Sequence, residues 1–301
     1  MNNVTLDYFT HRNLIAPPVK RAAYSDRTAW MLAEMSRVAY IKFENNKDEL
    51  VTVLKKADFE LVQVFNNSGT QAFLAKREID HMLVLAFRGT EVESPEDIIT
   101  DINSRFYVDK SGSKIHAGFL QAFEAVKDVT EVEIDKSKEY ALYITGHSLG
   151  GALALIATRH FNSDNLAACY TFGSPRVGNE EFGDEIKPPI YRIVNAYDPV
   201  PFLPPSGLFY VLTFIPDNKT KNILSNFHGY THHGDVRYLT ECADYKNVKV
   251  LANPENIIRL CQTIINRKVC INDHAIDAYS RKLAEWALKR SLNSEGNNET
   301  H

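Results

Sequence analysis

Residues 140–157 read YALYITGHSLGGALALIA, and this stretch decides the fold. An apolar run typical of a buried strand leads into the glycine-flanked Ser148, and an apolar run typical of a helix follows directly. Gly146 and Gly150 leave room for a turn tight enough to lift the Ser148 hydroxyl clear of the backbone. The stretch therefore predicts a nucleophile at a helix N-terminus, where N–H groups and the helix dipole favour an oxyanion. The alternative interpretation is an ordinary glycine-rich turn.

The composition indicates a globular protein that does not bind nucleic acid. The chain has 301 residues, which fits one large α/β domain or two small ones. Hydrophobic residues make up 44% of it and the net charge is -4, so a substantial core is possible and the basic excess that nucleic-acid binding needs is missing. We expect no nucleic-acid partner.

The amino-terminal residues suggest a cytoplasmic protein. The first twenty residues contain charged groups such as Asp7, Arg12 and Lys20 and no continuous apolar stretch, so we expect neither a signal peptide nor a membrane anchor. A cytoplasmic location is the default expectation, with export by a signal-independent route as the alternative. The apolar run 208–215 is far shorter than the roughly 20 residues that a membrane-spanning helix needs, so no transmembrane segment is predicted.

The cysteines predict no metal site. Cys169, Cys242, Cys261 and Cys270 show no CxxC spacing, so we expect no zinc, and without a secretory signal we expect free thiols. Cys261 and Cys270 lie close enough along the chain for a bridge between them to stay open as an alternative.

Helix and strand patterns alternate along the chain. The predicted helices cover 22–40 with Ser25 as N-cap, about 117–128, the helix after Ser148, and 275–292, and the predicted strands cover 61–65, 72–75, 82–87, 140–144, 167–172 and 191–194. This alternation predicts an α/β fold with a mainly parallel sheet covered by helices on both faces. No repeat or long linker is visible, so we expect one domain over 1–292, with 1–20 as an extension and 293–301 as a frayed polar tail.

A nucleophilic serine needs a base and a carboxylate that orients the base. In α/β hydrolases the order is serine, acid, histidine, which restricts the search to residues after Ser148. Asp198 follows the strand 190–194 in a loop stiffened by prolines and is the predicted acid, whereas Asp164 and Asp184 lie in polar, surface-like stretches.

The predicted base is His274, which follows a polar turn and opens the last helix. His232 and His233 are the rival candidates. A structural role, with hydrogen bonds near the site, is the alternative interpretation for that pair.

Six short strings resemble the successive signatures of class 3, fungal-type lipases. They are FRGT (87–90), IHAGF (115–119), GHSLGG (146–151), GSPRVG (173–178), NAYD (195–198) and DH (273–274), in the right order over about residues 60–280. The resemblance implies the α/β-hydrolase fold, with Ser148 as nucleophile, Asp198 as acid and His274 as base. It also implies an oxyanion hole formed by Thr90 and the N–H of Leu149, and it requires no cofactor.

Three further residues within these strings have no derivable chemical role. Arg88 is interpreted as a structural ion-pair partner. For its neighbour Thr90, the alternative to the role of oxyanion donor is that of a capping residue at a strand end. His116 and Arg176 are interpreted as parts of the scaffold.

Two segments depart from the fungal pattern. Residues 91–114 occupy the place of a lid but begin acidic, lack tryptophan, and offer only a few apolar side chains, among them Ile98, Ile99 and Ile102. The segment therefore does not favour strong activation at a lipid surface. Residues 206–230 form an apparent insertion that starts with an apolar run, including Leu208, Phe209 and Val211. This insertion forms either a wall of an acyl pocket or lipid-contacting surface, or else a hairpin at the sheet edge.

The sequence thus predicts a serine carboxylic-ester hydrolase that acts on a lipid ester such as an acylglycerol and transiently contacts a lipid surface. A phospholipase A1 or a feruloyl-type esterase would use the same residues. A different class of protein also stays open, namely a lipase-like binding or signalling protein without turnover.

Overall fold

The computed structural model describes residues 7–16, 22–89, 106–204, 229–252 and 272–296, with side chains described up to residue 292. Several predicted residues lie outside these ranges, and they are Thr90, Ile98, Ile99, Ile102, Leu208, Phe209, Val211, Cys261 and Cys270.

An eight-stranded sheet forms the centre of the fold. Its strands lie in the order β1 (Glu60–Asn67), β2 (Thr70–Arg77), β3 (Met82–Phe87), β6 (Ala141–His147), β7 (Leu166–Phe172), β8 (Ile190–Asn195), β9 (Asp235–Leu239) and β10 (Val250–Ala252). The strands from β3 to β9 are parallel, and the pairs at the two edges are antiparallel. A separate antiparallel ribbon consists of β4 (Phe106–Val108) and β5 (Lys114–His116). The predicted mainly parallel sheet is confirmed.

Helices cover both faces of the sheet. They are α1 (Asp26–Val38), α2 (Lys47–Lys55), α3 (Ala117–Glu124), α4 (Lys127–Asp135), α5 (Leu149–His160), α6 (Glu180–Asp184) and α7 (Ile276–Gly296). One buried cluster joins the sheet to α1, α2 and α7 through side chains such as Trp30 and Leu283, and a second joins it to α3 and α5 through Phe123 and Leu153. Since β3 has a strand on each side and a cluster on each face, all six of its residues are apolar and buried.

Most predicted elements are present, but several have a different extent. The last helix continues to Gly296, so the prediction of a frayed tail from residue 293 is wrong for its first four residues. Ser25 caps α1 as expected, because its side chain accepts a hydrogen bond from the Thr28 N–H at 3.4 Å. The helix predicted near 117–128 is instead two helices. The Val126 N–H bonds the Phe123 carbonyl three residues earlier, which tightens the chain between α3 and α4.

A buried polar network fixes α7 against α1. The Arg37 guanidinium donates to Asp277 of α7 and to Glu34 of its own helix, at 2.5 Å in each case. Glu34 also accepts a hydrogen bond from the Ser280 hydroxyl. Because Glu34 and Arg37 are buried, their charges depend on these partners, and the start of α7 is held in one position.

Within the described ranges, no helix combines the length and apolar character needed to cross a membrane. The same residues contain no group of three or more His, Cys, Asp or Glu side chains arranged to hold a metal ion. Cys169 and Cys242 carry free thiols.

Candidate active site

Ser148 lies in a strained turn between β6 and α5. Its backbone angles are φ 56° and ψ -128°, a conformation that is unfavourable for a residue with a side chain. Strain of this kind persists only where the surrounding structure enforces it, and here a buried strand precedes the turn and a buried helix follows it. The arrangement is the predicted strand–turn–helix, and it directs the Ser148 side chain away from the sheet toward His274.

Two glycines allow the turn because the chain crosses itself there. A side chain at Gly146 would overlap the backbone of Gly150, and one at Gly150 would overlap the carbonyl of Phe87 on β3. Neither neighbour can move aside, since both are backbone atoms of buried elements. The GxSxG pattern is therefore a packing requirement at this position.

The structure brings Ser148, His274 and Asp198 together in one chain of hydrogen bonds. His274 Nε2 lies 3.0 Å from Ser148 Oγ. Its Nδ1 lies 2.9 Å and 3.0 Å from the two carboxylate oxygens of Asp198. A carboxylate can only accept, so Nδ1 carries the ring proton and Nε2 offers its lone pair to the serine hydroxyl. This is the tautomer in which the histidine can take a proton from the serine.

Asp198 is completely buried and is satisfied by two further donors. The Val200 N–H donates to its Oδ1 at 2.9 Å, and the Tyr279 hydroxyl donates to its Oδ2 at 2.5 Å. Hydrogen bonds of this kind stabilise the ionised carboxylate without solvent.

Tyr279 is a site residue that the sequence reasoning missed, because its spacing in the last helix fits a core-facing residue equally well. Its hydroxyl accepts the Asn195 N–H at 3.1 Å, so its own proton is directed to Asp198. Burial and the neighbouring Asp198 charge raise the pKa of Tyr279 well above its ordinary value, so the phenol stays a donor. The signal that could have found it is that a buried tyrosine hydroxyl needs a partner.

The helical residues 272–274, which include His274, are also fixed by Asn195 at the end of β8. The Asn195 side chain donates to the Asp273 carbonyl at 2.8 Å and accepts from Lys282 of α7 at 2.7 Å. Burial raises the pKa of Asp273 and lowers that of Lys282. Since these contacts join residues far apart in the chain, the sequence pattern did not reveal them.

The start of α5 offers a donor for an oxyanion. The Leu149 N–H is among the first four of the helix, which have no acceptor within it. Gly89, the residue before Thr90, packs on the elbow so closely that a side chain there would meet the His147 carbonyl and the Ser148 Cβ. The end of β3 therefore leads to the nucleophile, as the prediction for Thr90 requires.

A cavity of about 350 Å³ opens beside this point. Its lining combines apolar and polar groups, among them Leu149, Leu153, Gly89, Lys42 and Glu44. It is large enough for part of a small ligand.

The rival histidines lie elsewhere. His232 Nε2 bonds the Pro201 carbonyl at 2.5 Å, and His233 Nε2 lies 3.3 Å from the Thr231 hydroxyl. These are the hydrogen bonds of a structural role, and neither ring reaches Ser148 in the structure.

The residues interpreted as scaffold have structural contacts. Arg88 pairs with Glu44 at 2.9 Å and donates to the Ala39 carbonyl, as its ion-pair interpretation predicts. The His116 Nδ1 caps α3 by accepting the Phe119 N–H at 3.2 Å. Arg176 donates to the Pro204 carbonyl at 2.6 Å, beside the loop that follows Asp198.

The sheet is mainly parallel, and a strained serine lies between a central strand and a helix. An acid and a histidine follow later in the chain, and together these features define the α/β-hydrolase class. Within that class, residues 84–208 match the family model described as lipase, class 3.

Individual lipases are also similar to the chain. A lipase from Rhizopus niveus is 33% identical over 168 residues, which cover 50% of this chain and 42% of the relative. The "Secreted mono- and diacylglycerol lipase 1" of Fusarium solani is 38% identical over 103 residues, covering 32% of this chain and 31% of that protein. The chain thus matches less than half the length of these curated relatives. A solved "Rhizomucor miehei lipase propeptide complex" shares the fold, with a TM-score of 0.63, 23% identity, and coverage of 84% of this chain and 79% of that one.

The expectation of a cytoplasmic location is wrong. The Fusarium relative is named a secreted lipase, and the Rhizomucor lipase is solved with a propeptide. These relatives point to an extracellular location. The expectation rested on the lack of an apolar run in the first twenty residues, which is weak evidence for where a protein acts.

Proposed function

We propose that this protein is a serine hydrolase that cleaves carboxylic esters of lipids through an acyl-enzyme. The observation that carries the proposal is the hydrogen-bonded series from Ser148 Oγ through His274 to the buried Asp198, at 3.0 Å and 2.9 Å. Such a series raises the nucleophilicity of a serine, which is weak alone. Its catalytic roles are therefore assigned to Ser148 as nucleophile, His274 as base and Asp198 as acid.

The reaction follows from this geometry. Ser148 Oγ attacks the ester carbonyl carbon while its proton passes to His274 Nε2. The tetrahedral oxyanion accepts the Leu149 N–H and, as predicted from the sequence, a donor of Thr90. The alcohol leaves with the proton of Nε2, and the acyl group remains on Ser148. Water then gives a proton to His274 Nε2 as its oxygen attacks the acyl carbon. When this second tetrahedral intermediate collapses, Nε2 returns the proton to Ser148 Oγ, and the fatty acid leaves with the serine restored.

Acylglycerols are the proposed substrates. The relative named for mono- and diacylglycerols supports this class. We further propose that the protein contacts the surface of the lipid aggregate only transiently. The described helices contain no membrane span, and the segments 91–105 and 206–228 that would carry such a contact lie outside the described residues.

We also propose that residues 1–292 act as one domain, and that 293–301 form a polar tail whose first four residues continue α7. Support comes from one of the two buried clusters, whose members extend along the chain from Tyr8 to Ala287.

The first experiment compares Ser148→Ala with the wild type and with Ser163→Ala, which changes an exposed serine. We expect a fluorophosphonate probe to label the wild type and the control, and Ser148→Ala to lose labelling and about 10⁴-fold or more in ester turnover. Full turnover by Ser148→Ala would overturn the proposal. An unlabelled wild type without turnover would instead favour a binding or signalling protein.

The second experiment is a substrate panel. Release of acyl groups from mono-, di- and triacylglycerols, a phospholipid and a feruloyl ester is measured below and above the concentration at which each substrate aggregates. We expect acylglycerols to be preferred. Preference for the phospholipid or the feruloyl ester would replace the substrate assignment while leaving the chemistry of Ser148 intact.

A further inference from the structure

His147, the residue before the nucleophile, is a buried histidine that the proposed reaction does not use. Its side chain is 5% exposed and makes two hydrogen bonds. Nε2 lies 2.7 Å from the backbone carbonyl of His274, and Nδ1 lies 2.8 Å from the Tyr40 hydroxyl. One ring thus connects the end of β6, the segment after α1 and the backbone of the proposed base.

The partners fix the protonation of this ring. A carbonyl oxygen can only accept, so Nε2 of His147 carries the proton and donates to His274. Nδ1 then has a lone pair, and the Tyr40 hydroxyl donates to it. Burial and the neighbouring His274 hold the pKa of His147 well below its ordinary value, so the ring stays neutral.

We propose that His147 is a positioning residue, which holds the backbone of His274 so that the imidazole of the base stays within reach of Ser148. This inference rests on the proposed function.

The need for such a restraint follows from how His274 is held. Asp198 fixes the ring of His274 through Nδ1, but a ring is placed reliably only if its own backbone is fixed too. The bond from His147 supplies that second restraint, and the two imidazole rings also pack with their centroids 4.6 Å apart. A misplacement of about 1 Å in a catalytic group can cost about a hundredfold in rate.

Gly89 leaves the space that the Tyr40 hydroxyl occupies beside His147. A side chain at Gly89 would overlap the Tyr40 hydroxyl and the His147 carbonyl. The glycine that precedes Thr90 thus leaves the space through which Tyr40 reaches His147. Gly89, Tyr40 and His147 therefore connect the end of β3, which precedes the proposed oxyanion donor, to the backbone of the proposed base.

The experiment compares His147→Phe with His147→Gln. Phenylalanine keeps a flat ring but cannot donate to the His274 carbonyl, whereas the glutamine amide can. We expect His147→Phe to lower kcat and the rate of fluorophosphonate labelling about ten- to a hundredfold, with KM nearly unchanged, and His147→Gln to recover most of both. His160→Phe, the same change at an exposed histidine, serves as the control and should behave as the wild type.

The outcomes separate this inference from the proposed function. A wild type without turnover or labelling defeats the proposed function. An active wild type with an equally active His147→Phe defeats only the role of His147, and so does a glutamine variant as impaired as the phenylalanine variant. Circular dichroism and thermal unfolding of each variant show whether a loss reflects unfolding.

A second measurement does not depend on turnover. In ¹⁵N NMR of histidine-labelled wild type, we expect the His147 ring to carry its proton on Nε2 and to stay neutral between pH 5 and 8. A ring protonated on Nδ1, or one that titrates near its ordinary pKa, contradicts the inference.

Discussion

The nucleophile and the groups that activate it are held in two different ways. Ser148 is placed by its immediate chain neighbours, since β6, α5 and two glycines leave the turn one conformation. Asp198 and His274 are placed by hydrogen bonds from residues distant in the chain, such as Tyr279, Asn195 and His147. The elbow side is thus fixed by backbone packing, and the acid–base side by polar contacts. Substitutions on the elbow side should therefore unfold the protein, whereas substitutions on the acid–base side should lower the rate of turnover.

Asp198→Asn should cause the largest loss of rate with the fold intact. The asparagine amide can donate to His274 Nδ1, which would leave the proton on Nε2 and remove the lone pair that faces Ser148. We expect kcat to fall about 10⁴-fold while the thermal unfolding temperature changes little. A loss smaller than tenfold would assign the acid role to another residue.

Gly150→Ala tests the elbow side and should act on stability. Its methyl group would overlap the carbonyl of Phe87, so β3 and α5 must separate. We expect a loss of about 3 kcal/mol in the free energy of unfolding, measured with urea, and loss of activity with it. Gly112→Ala is the comparison, because Gly112 has a positive φ of 89° and open space around it, so its change carries backbone strain without an overlap and should cost about 1 kcal/mol. Equal costs would show that the close approach is unimportant.

Lowering the pH should reduce the free energy of unfolding partly through His147, which ends the strand before the elbow and bonds the backbone of His274. The pKa of His147 is lowered in the folded state, so below about pH 6.5 the unfolded chain binds a proton that the folded chain does not. Stability therefore falls as pH falls, by up to about 2 kcal/mol between pH 7 and pH 5 from this residue. Urea unfolding of His147→Gln should show a correspondingly smaller decrease. An identical decrease would mean that His147 takes up a proton in the folded protein.

Tyr279→Phe should have the smallest effect of the four. It removes one donor to Asp198 and leaves the Asn195 N–H without its acceptor. We expect kcat to fall about tenfold and stability by about 1 kcal/mol. Tyr230→Phe is the matched control, because the buried Tyr230 hydroxyl has no hydrogen-bond partner in the described structure and its removal should cost nothing. Equal behaviour of the two variants would contradict the role given to Tyr279.

The sequence predicted the elbow side of the site more completely than the acid–base side. The strand, turn and helix around Ser148 depend on contiguous residues, so glycine spacing and apolar runs were enough to predict them. Asp198 was predicted because it follows a predicted strand, and His274 because it opens the last predicted helix, in the order expected for the fold. Catalytic roles for these residues stay predictions until the variants are measured.

The contacts that support the acid and the base could not be predicted in this way. Tyr279, Asn195 and His147 act through partners between 78 and 127 positions away, and no spacing rule marks such a pair. Tyr279 in particular has the spacing of a core residue, because the same helix face both packs on the sheet and reaches Asp198. The sequence also did not predict that the helix near 117–128 is divided into α3 and α4. A tightened turn between two helices leaves the apolar pattern unchanged, so the pattern cannot reveal it.

The polar attachment of α7 to α1 has a consequence for how activity depends on the carboxyl-terminal part of the chain. His274 stands just ahead of α7, and α7 is anchored by Asp277 and Ser280 to buried charges on α1. Detaching that helix would move His274 away from Ser148, and the serine would lose its proton acceptor. The reactivity of the Ser148 hydroxyl would then report whether α7 is docked, even though α7 begins more than a hundred residues after Ser148.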